Sequence, residues 1–303
     1  MAAIVAAATL IDAQSYSRGQ NASPAFEGWE KNGDGSFNFL FGYMNRNWEE
    51  ELNVPIGPEN NIEPGGPDQG QPTRLLPRRN RFVFRVRVAS DWGQKELIWT
   101  LSTKGKTEKA YASLKQDYFI DDVVIASETG ALGAGTSSPE IRANKRPEVK
   151  IDGDKTRWVK VGEPLTLVAW VTDDGVPKAR PSGVGSAPRP AANTTPQAPR
   201  ANPAFTPPSR ITVGKRVGLH LSWYVYRGDG TVRFDPAQIK VWEETRAGAN
   251  SPWAPLWVPP SIPPDGRHEA RATFDRPGTY VLRARADDGA LYNDADLTVT
   301  VSQ

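Results

Sequence analysis

Apolar and polar residues alternate with period two along most of the chain. Phe37, Phe39, Phe41 and Tyr43 fall on one side of the alternation, with Asn38, Leu40 and Gly42 on the other. Arg81 to Val88 repeats it, with Phe82, Phe84, Val86 and Val88 set against Arg85 and Arg87. Side chains of a strand point to opposite faces in turn, so each run reads as a half-buried strand. Leu97, Trp99 and Leu101 continue the series, then Ala110 to Leu114 and Tyr118 to Ile125. Turn signals such as Asn32-Gly33-Asp34-Gly35 and Lys104-Gly105-Lys106 separate these runs, and the pattern predicts a β-sandwich over residues 26–127.

The second half behaves alike. Pro164 to Thr172 sets Leu165, Leu167, Ala169 and Val171 against Thr166, Val168 and Trp170. Val217 to Arg227 sets Leu219, Leu221, Trp223 and Val225 against His220, Ser222, Tyr224 and Tyr226. Val149 to Ile151, Trp158 to Val161, Thr231 to Phe234, Ile239 to Trp242, His268 to Phe274, Gly278 to Ala286 and Ala295 to Val301 complete a set of short strands over 147–303. A tryptophan in the third main strand belongs to the immunoglobulin-like pattern, here without its disulfide because the chain has no cysteine. The expected fold is all-β, two immunoglobulin-like β-sandwich domains, with essentially no helix. Gly/Ser-rich residues 128–146 read as the linker between them.

Proline marks where strands cannot be. Of 27 prolines, six lie in 55–80, nine in 173–216 and six in 247–266, which makes these stretches extended loops and 173–216 an insertion into the second sandwich. Residues 1–14 are different again. Ala2 to Ile11 is apolar, resembles the core of an export signal without its basic flank, and at ten residues is too short for the roughly 20 that cross a bilayer. It is expected to be a signal remnant or a membrane-associated anchor, which points to the periplasm or cell surface.

Composition narrows the chemistry. The net charge of +2 offers no field for nucleic acid, and two histidines, His220 and His268, leave little for the usual acid–base, metal or triad sites. No enzyme is expected.

The closing residues carry a resemblance. Pro277-Gly278-Thr279-Tyr280-Val281-Leu282-Arg283-Ala284-Arg285-Ala286-Asp287-Asp288-Gly289, followed by Asp296-Leu297-Thr298-Val299-Thr300-Val301, resembles the terminal hairpin of bacterial immunoglobulin-like, PKD-like or cadherin-like modules. Phe26-Glu27-Gly28-Trp29-Glu30 and Phe41-Gly42-Tyr43-Met44-Asn45-Arg46-Asn47-Trp48 resemble the front part of uncharacterised exported bacterial two-domain proteins. Within that layout the chain is similar to periplasmic accessory subunits of photosynthetic reaction-centre complexes. The resemblance implies binding and spacing: a scaffold subunit that grips other subunits of a membrane protein complex through its loops. The alternative is a secreted carbohydrate-binding or adhesion module.

Four groups of residues are candidates for a site. Asp173-Asp174-Gly175 and Asp287-Asp288-Gly289 end strands expected to finish at one pole, with Asp294 close in sequence, and Asp173, Asp174, Asp287 and Asp288 could supply oxygen ligands to Ca²⁺. Asp-Asp-Gly is also ordinary turn chemistry, and that reading is favoured. Trp242, Trp253 and Trp257, in a proline-held segment, are candidate partner anchors or edge covers. The basic group Arg74, Arg78, Arg79, Arg81, Arg85 and Arg87 could meet lipid headgroups or an acidic partner, with Arg78 and Arg79 foremost, or form a solvated strand face. Glu49-Glu50-Glu51 and Asp121-Asp122 raise glycoside hydrolysis, against which adjacent acids point to opposite faces of a strand. His220 alternates with core positions and is expected at the surface.

Overall fold

A computed structural model describes residues 17–132, 135, 137–178, 213–215, 217–242 and 262–303. The first sandwich is built from β1 (Ala22–Lys31), β2 (Phe37–Asn45), β3 (Leu52–Asn53), β4 (Asn60–Glu63), β5 (Arg74–Leu75), β6 (Arg78–Val88), β7 (Leu97–Thr103) and β8 (Lys106–Ala112). Sheet β1-β2-β6 faces sheet β4-β7-β8, with β3-β5 as a short ribbon. Alternation supplies the core. Phe41 stacks on Phe84 at 5.3 Å between centroids, and Trp99 stands edge-on to Phe84 at 5.0 Å. The Trp99 indole donates to Asn60 Oδ1 at 2.9 Å, so this fully buried polar edge is satisfied.

Between the sandwiches the chain is helical where strand was expected. A 3₁₀ turn spans Gln116–Tyr118, α1 spans Asp122–Thr129 and α2 spans Pro139–Ala143. The run Tyr118 to Ile125, read as a strand in the alternating series, is broken by Asp121, whose carboxylate accepts from the Val124 amide at 2.9 Å and starts α1. Ser138 caps α2 in the same manner, with Pro139 at its first turn. The segment read as a linker therefore packs. Ile125, Ala126 and Ile141 join Leu40, Phe82, Ile120, Leu291 and Tyr292 in one buried cluster that bridges the two sandwiches.

The second sandwich comprises β9 (Glu148–Ile151), β10 (Thr156–Lys160), β11 (Pro164–Thr172), β12 (Val213–Gly214), β13 (His220–Arg227), β14 (Val232–Asp235), β15 (Val241–Trp242), β16 (Arg267–Phe274), β17 (Gly278–Asp287) and β18 (Tyr292–Ser302). Its sheets run β9-β11-β16-β14 and β10-β18-β17-β13, with β10 parallel to β18. In chain order these are A-B-E-D against A′-G-F-C, the strand order of the immunoglobulin constant-type sandwich. Trp223 on strand C is fully buried, and Leu282 on strand F, Leu167 and Ala169 on strand B fill the core around it.

Tyr280, near the start of strand F, donates its hydroxyl to the Arg276 carbonyl at 2.9 Å, a tyrosine corner. The ring lies so close to Gly228 and Gly230 that a Cβ at either would collide with it. Both glycines are thus fixed by the corner's packing.

Candidate functional site

Strand C departs from the one-face expectation. His220, Leu221, Ser222, Trp223, Tyr224, Val225 and Tyr226 are all buried, because the first sandwich covers the outer face of the C-F-G sheet. His220, expected at the surface, lies under that cover with Nδ1 3.1 Å from the Gly218 carbonyl oxygen. Burial holds its pKa below the ordinary histidine value.

The seam is a ladder of charged and aromatic side chains. Arg285 makes a bidentate pair with Asp294, both contacts 2.8 Å, and its guanidinium lies 3.8 Å above the Tyr292 ring. Arg283 pairs with Asp296 at 2.7 and 2.8 Å, stacks 3.5 Å over Tyr226 and donates to the Val83 carbonyl of β6 at 2.8 Å. The Tyr292 hydroxyl reaches the Phe82 carbonyl at 2.6 Å. Arg227 forks onto Asp68 at 2.8 and 2.9 Å and donates to Gln71 O at 3.0 Å. Planar forks satisfied on both sides are the geometry in which buried arginine is tolerated. Asp294 is desolvated, yet Arg285 outweighs this and keeps its pKa below the usual carboxylate range.

The basic group predicted from sequence does not form a free patch. Arg74 pairs with Glu51, Arg79 with Glu27, Arg81 with Glu128, Arg85 with Glu30 and Arg87 with Asp34. Arg78 lies 4.0 Å over the Trp48 ring. These arginines tie strands within the first sandwich and hold α1. The acidic runs are likewise occupied: Glu50 accepts from Lys104 and the Gly19 amide, Asp121 caps α1, and Asp122 pairs with Arg146.

The aspartate turns do share a pole, meeting at residues 144–145. Asp288 Oδ2 accepts from Asn144 at 3.0 Å and Asp174 Oδ2 from the Lys145 amide at 3.2 Å. Each aspartate also serves its own turn. Asp173 accepts from Gly175, Asp174 from Val176, Asp287 from Gly289, and Asp288 from both Ala290 and Leu291. Among the described residues no group of three or more metal-ligating side chains is gathered. Burial pushes Asp288 up to about 6. Asp287 is also desolvated, but Lys215 and His220 outweigh this and hold its carboxyl below the usual range.

Among the described residues the large apolar side chains left open to solvent are mostly aromatic. Trp158 is 72% exposed on edge strand β10 and Trp170 is 38% exposed on β11. Tyr118 and Phe119 form a smaller shelf beside Phe26 and Trp29. Trp158 was legible only as part of a strand; its outward position follows from Arg157 and Val159 turning inward on either side. A cleft of about 640 Å³ opens where strands C and D meet the first sandwich, bordered by Asn80, Trp223, Phe234 and Lys240. The buried Trp223 indole N–H finds no hydrogen-bond partner among the described residues.

Of the tryptophan anchors read from the sequence, Trp242 contributes its backbone to β15, paired with β12, while Trp253 and Trp257 lie outside the described residues, as do Ala2 to Ile11. Among the described residues no helix is long and apolar enough to cross a membrane.

No family model matches the chain, and no curated protein does. Similar solved structures include Sidekick-1 immunoglobulin domains 1–4, at 8% identity and a TM-score of 0.23, covering 93% of this chain and 48% of that one. The chain thus spans about half the length of that Sidekick-1 fragment. Domains 4 and 5 of the S-layer protein SbsC match at 7% identity and TM-score 0.25, over 94% of this chain and 98% of that one. The D00-D0 domain of intimin matches at 10% identity and TM-score 0.23, over 92% and 100%. Scores this low carry no weight for fold or function. The immunoglobulin assignment rests on the strand order and tyrosine corner described above.

Proposed function

We propose that the protein is a non-catalytic binding module outside the cytoplasm, in which two rigidly docked sandwiches present exposed aromatic side chains to a protein partner. Trp158 carries this reading. A tryptophan held 72% exposed on an ordered edge strand is a costly display of apolar surface, and interface hot spots are enriched in this residue. The seam supports it, since a rigid body spends little conformational entropy on docking. An adhesion-type role fits these features better than a reaction-centre subunit, which none of the comparisons supports.

The test is retention on immobilised protein. Wild type is expected to retain a protein from mild-detergent membrane or cell-surface extracts, and Trp158→Ala to lose it with an unchanged melting curve. Retention of polysaccharide but no protein would instead establish the carbohydrate-binding alternative. Equal retention by wild type and Trp158→Ala would remove Trp158 from the site.

A further inference from the structure

At the end of β17 two opposite charges are sealed from solvent. The side chains of Lys215 and Asp287 are each about 1% exposed, and Nζ lies 2.9 Å from Oδ2. The contact has the distance of a hydrogen bond but not its angles, and among the described residues neither atom has another hydrogen-bond partner. A buried ion pair is tolerated when its remaining protons and lone pairs are satisfied, and among the described residues those of Nζ and Oδ2 are not. The second carboxylate oxygen, by contrast, is held: the Gly289 amide donates to Oδ1 at 2.7 Å. His220 stands directly opposite Asp287 in the β13–β17 register, also buried. Its Nδ1 faces the Gly218 carbonyl, which can only accept, so Nδ1 carries the proton and Nε2 is the basic nitrogen. Burial favours the neutral ring.

We propose that Lys215 and Asp287 condense into an intramolecular amide cross-link between Nζ and Cγ. One ammonium proton passes to Oδ2, 2.9 Å away, which makes the carboxyl a neutral acid, and the freed lone pair attacks Cγ. Negative charge then gathers on Oδ1, where the Gly289 N–H already points, as in an oxyanion hole. The Cγ–Oδ2 bond breaks and Oδ2 leaves as water. It takes two of the three ammonium protons, one by way of His220, and the amide nitrogen keeps the third. Ammonium plus carboxylate becomes amide plus water, with no oxidant, reductant or co-reactant. Contact of the reacting groups in a dry site makes the step effectively unimolecular. The neutral product removes both buried charges.

The intact mass of the folded, full-length protein, measured under denaturing conditions, decides the matter. Wild type is expected to be lighter by one water, about 18 Da, than its unmodified chain. Lys215→Arg, corrected for the substitution itself, should show no such loss, and digestion of wild type should yield a branched peptide containing both Lys215 and Asp287. Full mass in folded wild type overturns the proposal. A water loss that persists in Lys215→Arg also overturns it, because an Asp-Gly imide at Asp288-Gly289 or Asp174-Gly175 has the same mass. Should Lys215→Arg fail to fold, the wild-type peptide map decides alone: a branched peptide supports the cross-link, and linear peptides at both positions refute it.

Discussion

Removing Arg285 tests whether the two sandwiches fold as one body. The guanidinium is 1% exposed and forks onto Asp294, whose side chain keeps 18% exposure. Cutting one partner from a buried pair costs about 3–5 kcal/mol because the other charge is left uncompensated. Two features of the seam pull Arg285→Ala toward the lower end of that range. Arg283 Nη1 lies 3.7 Å from Asp294 Oδ2 and takes up part of the charge, and the carboxylate retains some water. Loss of the stack over Tyr292 pulls the other way, by roughly 0.5–2 kcal/mol. The expected cost is therefore about 3–4 kcal/mol. Urea unfolding should show a lower midpoint with an unchanged m-value. Hydrogen exchange, followed peptide by peptide, should show β6 of the first sandwich and β13 of the second losing protection together. A midpoint shift worth under about 1 kcal/mol, or protection lost in β13 with β6 untouched, would refute the single-body account.

Three further outcomes are expected. Trp223→Ala should lower stability by about 3–5 kcal/mol through lost burial and a residual cavity, and an unchanged melting curve would place Trp223 at the surface. Tyr280→Phe deletes only the hydroxyl bonded to Arg276 O and should cost about 0.5–1.5 kcal/mol by chemical denaturation; a neutral result would make the corner dispensable. The pH dependence separates opposing groups. Asp288, pushed up to about 6 in the folded state, binds a proton there before the unfolded chain does, so its burden at neutral pH is relieved as pH falls through about 6 toward 4. His220 and His268, both lowered by burial, act oppositely, their contribution being full above about 6.5 and lost as pH falls below it. Asp288→Asn, without the relief, should therefore lose stability more steeply than wild type between pH 6.5 and 4, and parallel curves would sink the assignment.

The strands were legible because a sandwich enforces period two wherever one face is wet. Leu165, Leu167, Ala169 and Val171 obeyed it, and β11 lies where the alternation placed it. The rule failed at β13, since both of its faces are covered, and His220 was misplaced for that reason. A signal was present: Tyr224 and Tyr226 occupy the nominally polar face, and Arg283 and Arg285 face Asp296 and Asp294 across the adjoining hairpin. A charged ladder flanked by tyrosines is how a sheet face looks when it is meant to be buried against polar backbone. At α1 the alternating series was carried through Asp121, although its cap decides the local structure. The arginines of β6 were legible as outward-facing, but their partners come from β1, the β1–β2 turn and α1, and sequence spacing does not encode such pairings.

Immunoglobulin-type sandwiches are commonly exchanged between proteins as independent beads, and this one is built so that it cannot be. Cut free near residue 146, it would present Tyr224, Tyr226, Arg283 and Arg285 to water with their counterparts in Phe82, Val83 and the 68–73 loop gone. Such a fragment would be sticky as well as weak. The seam holds only when both halves are present, and either one alone would turn a buried charged and aromatic face to water.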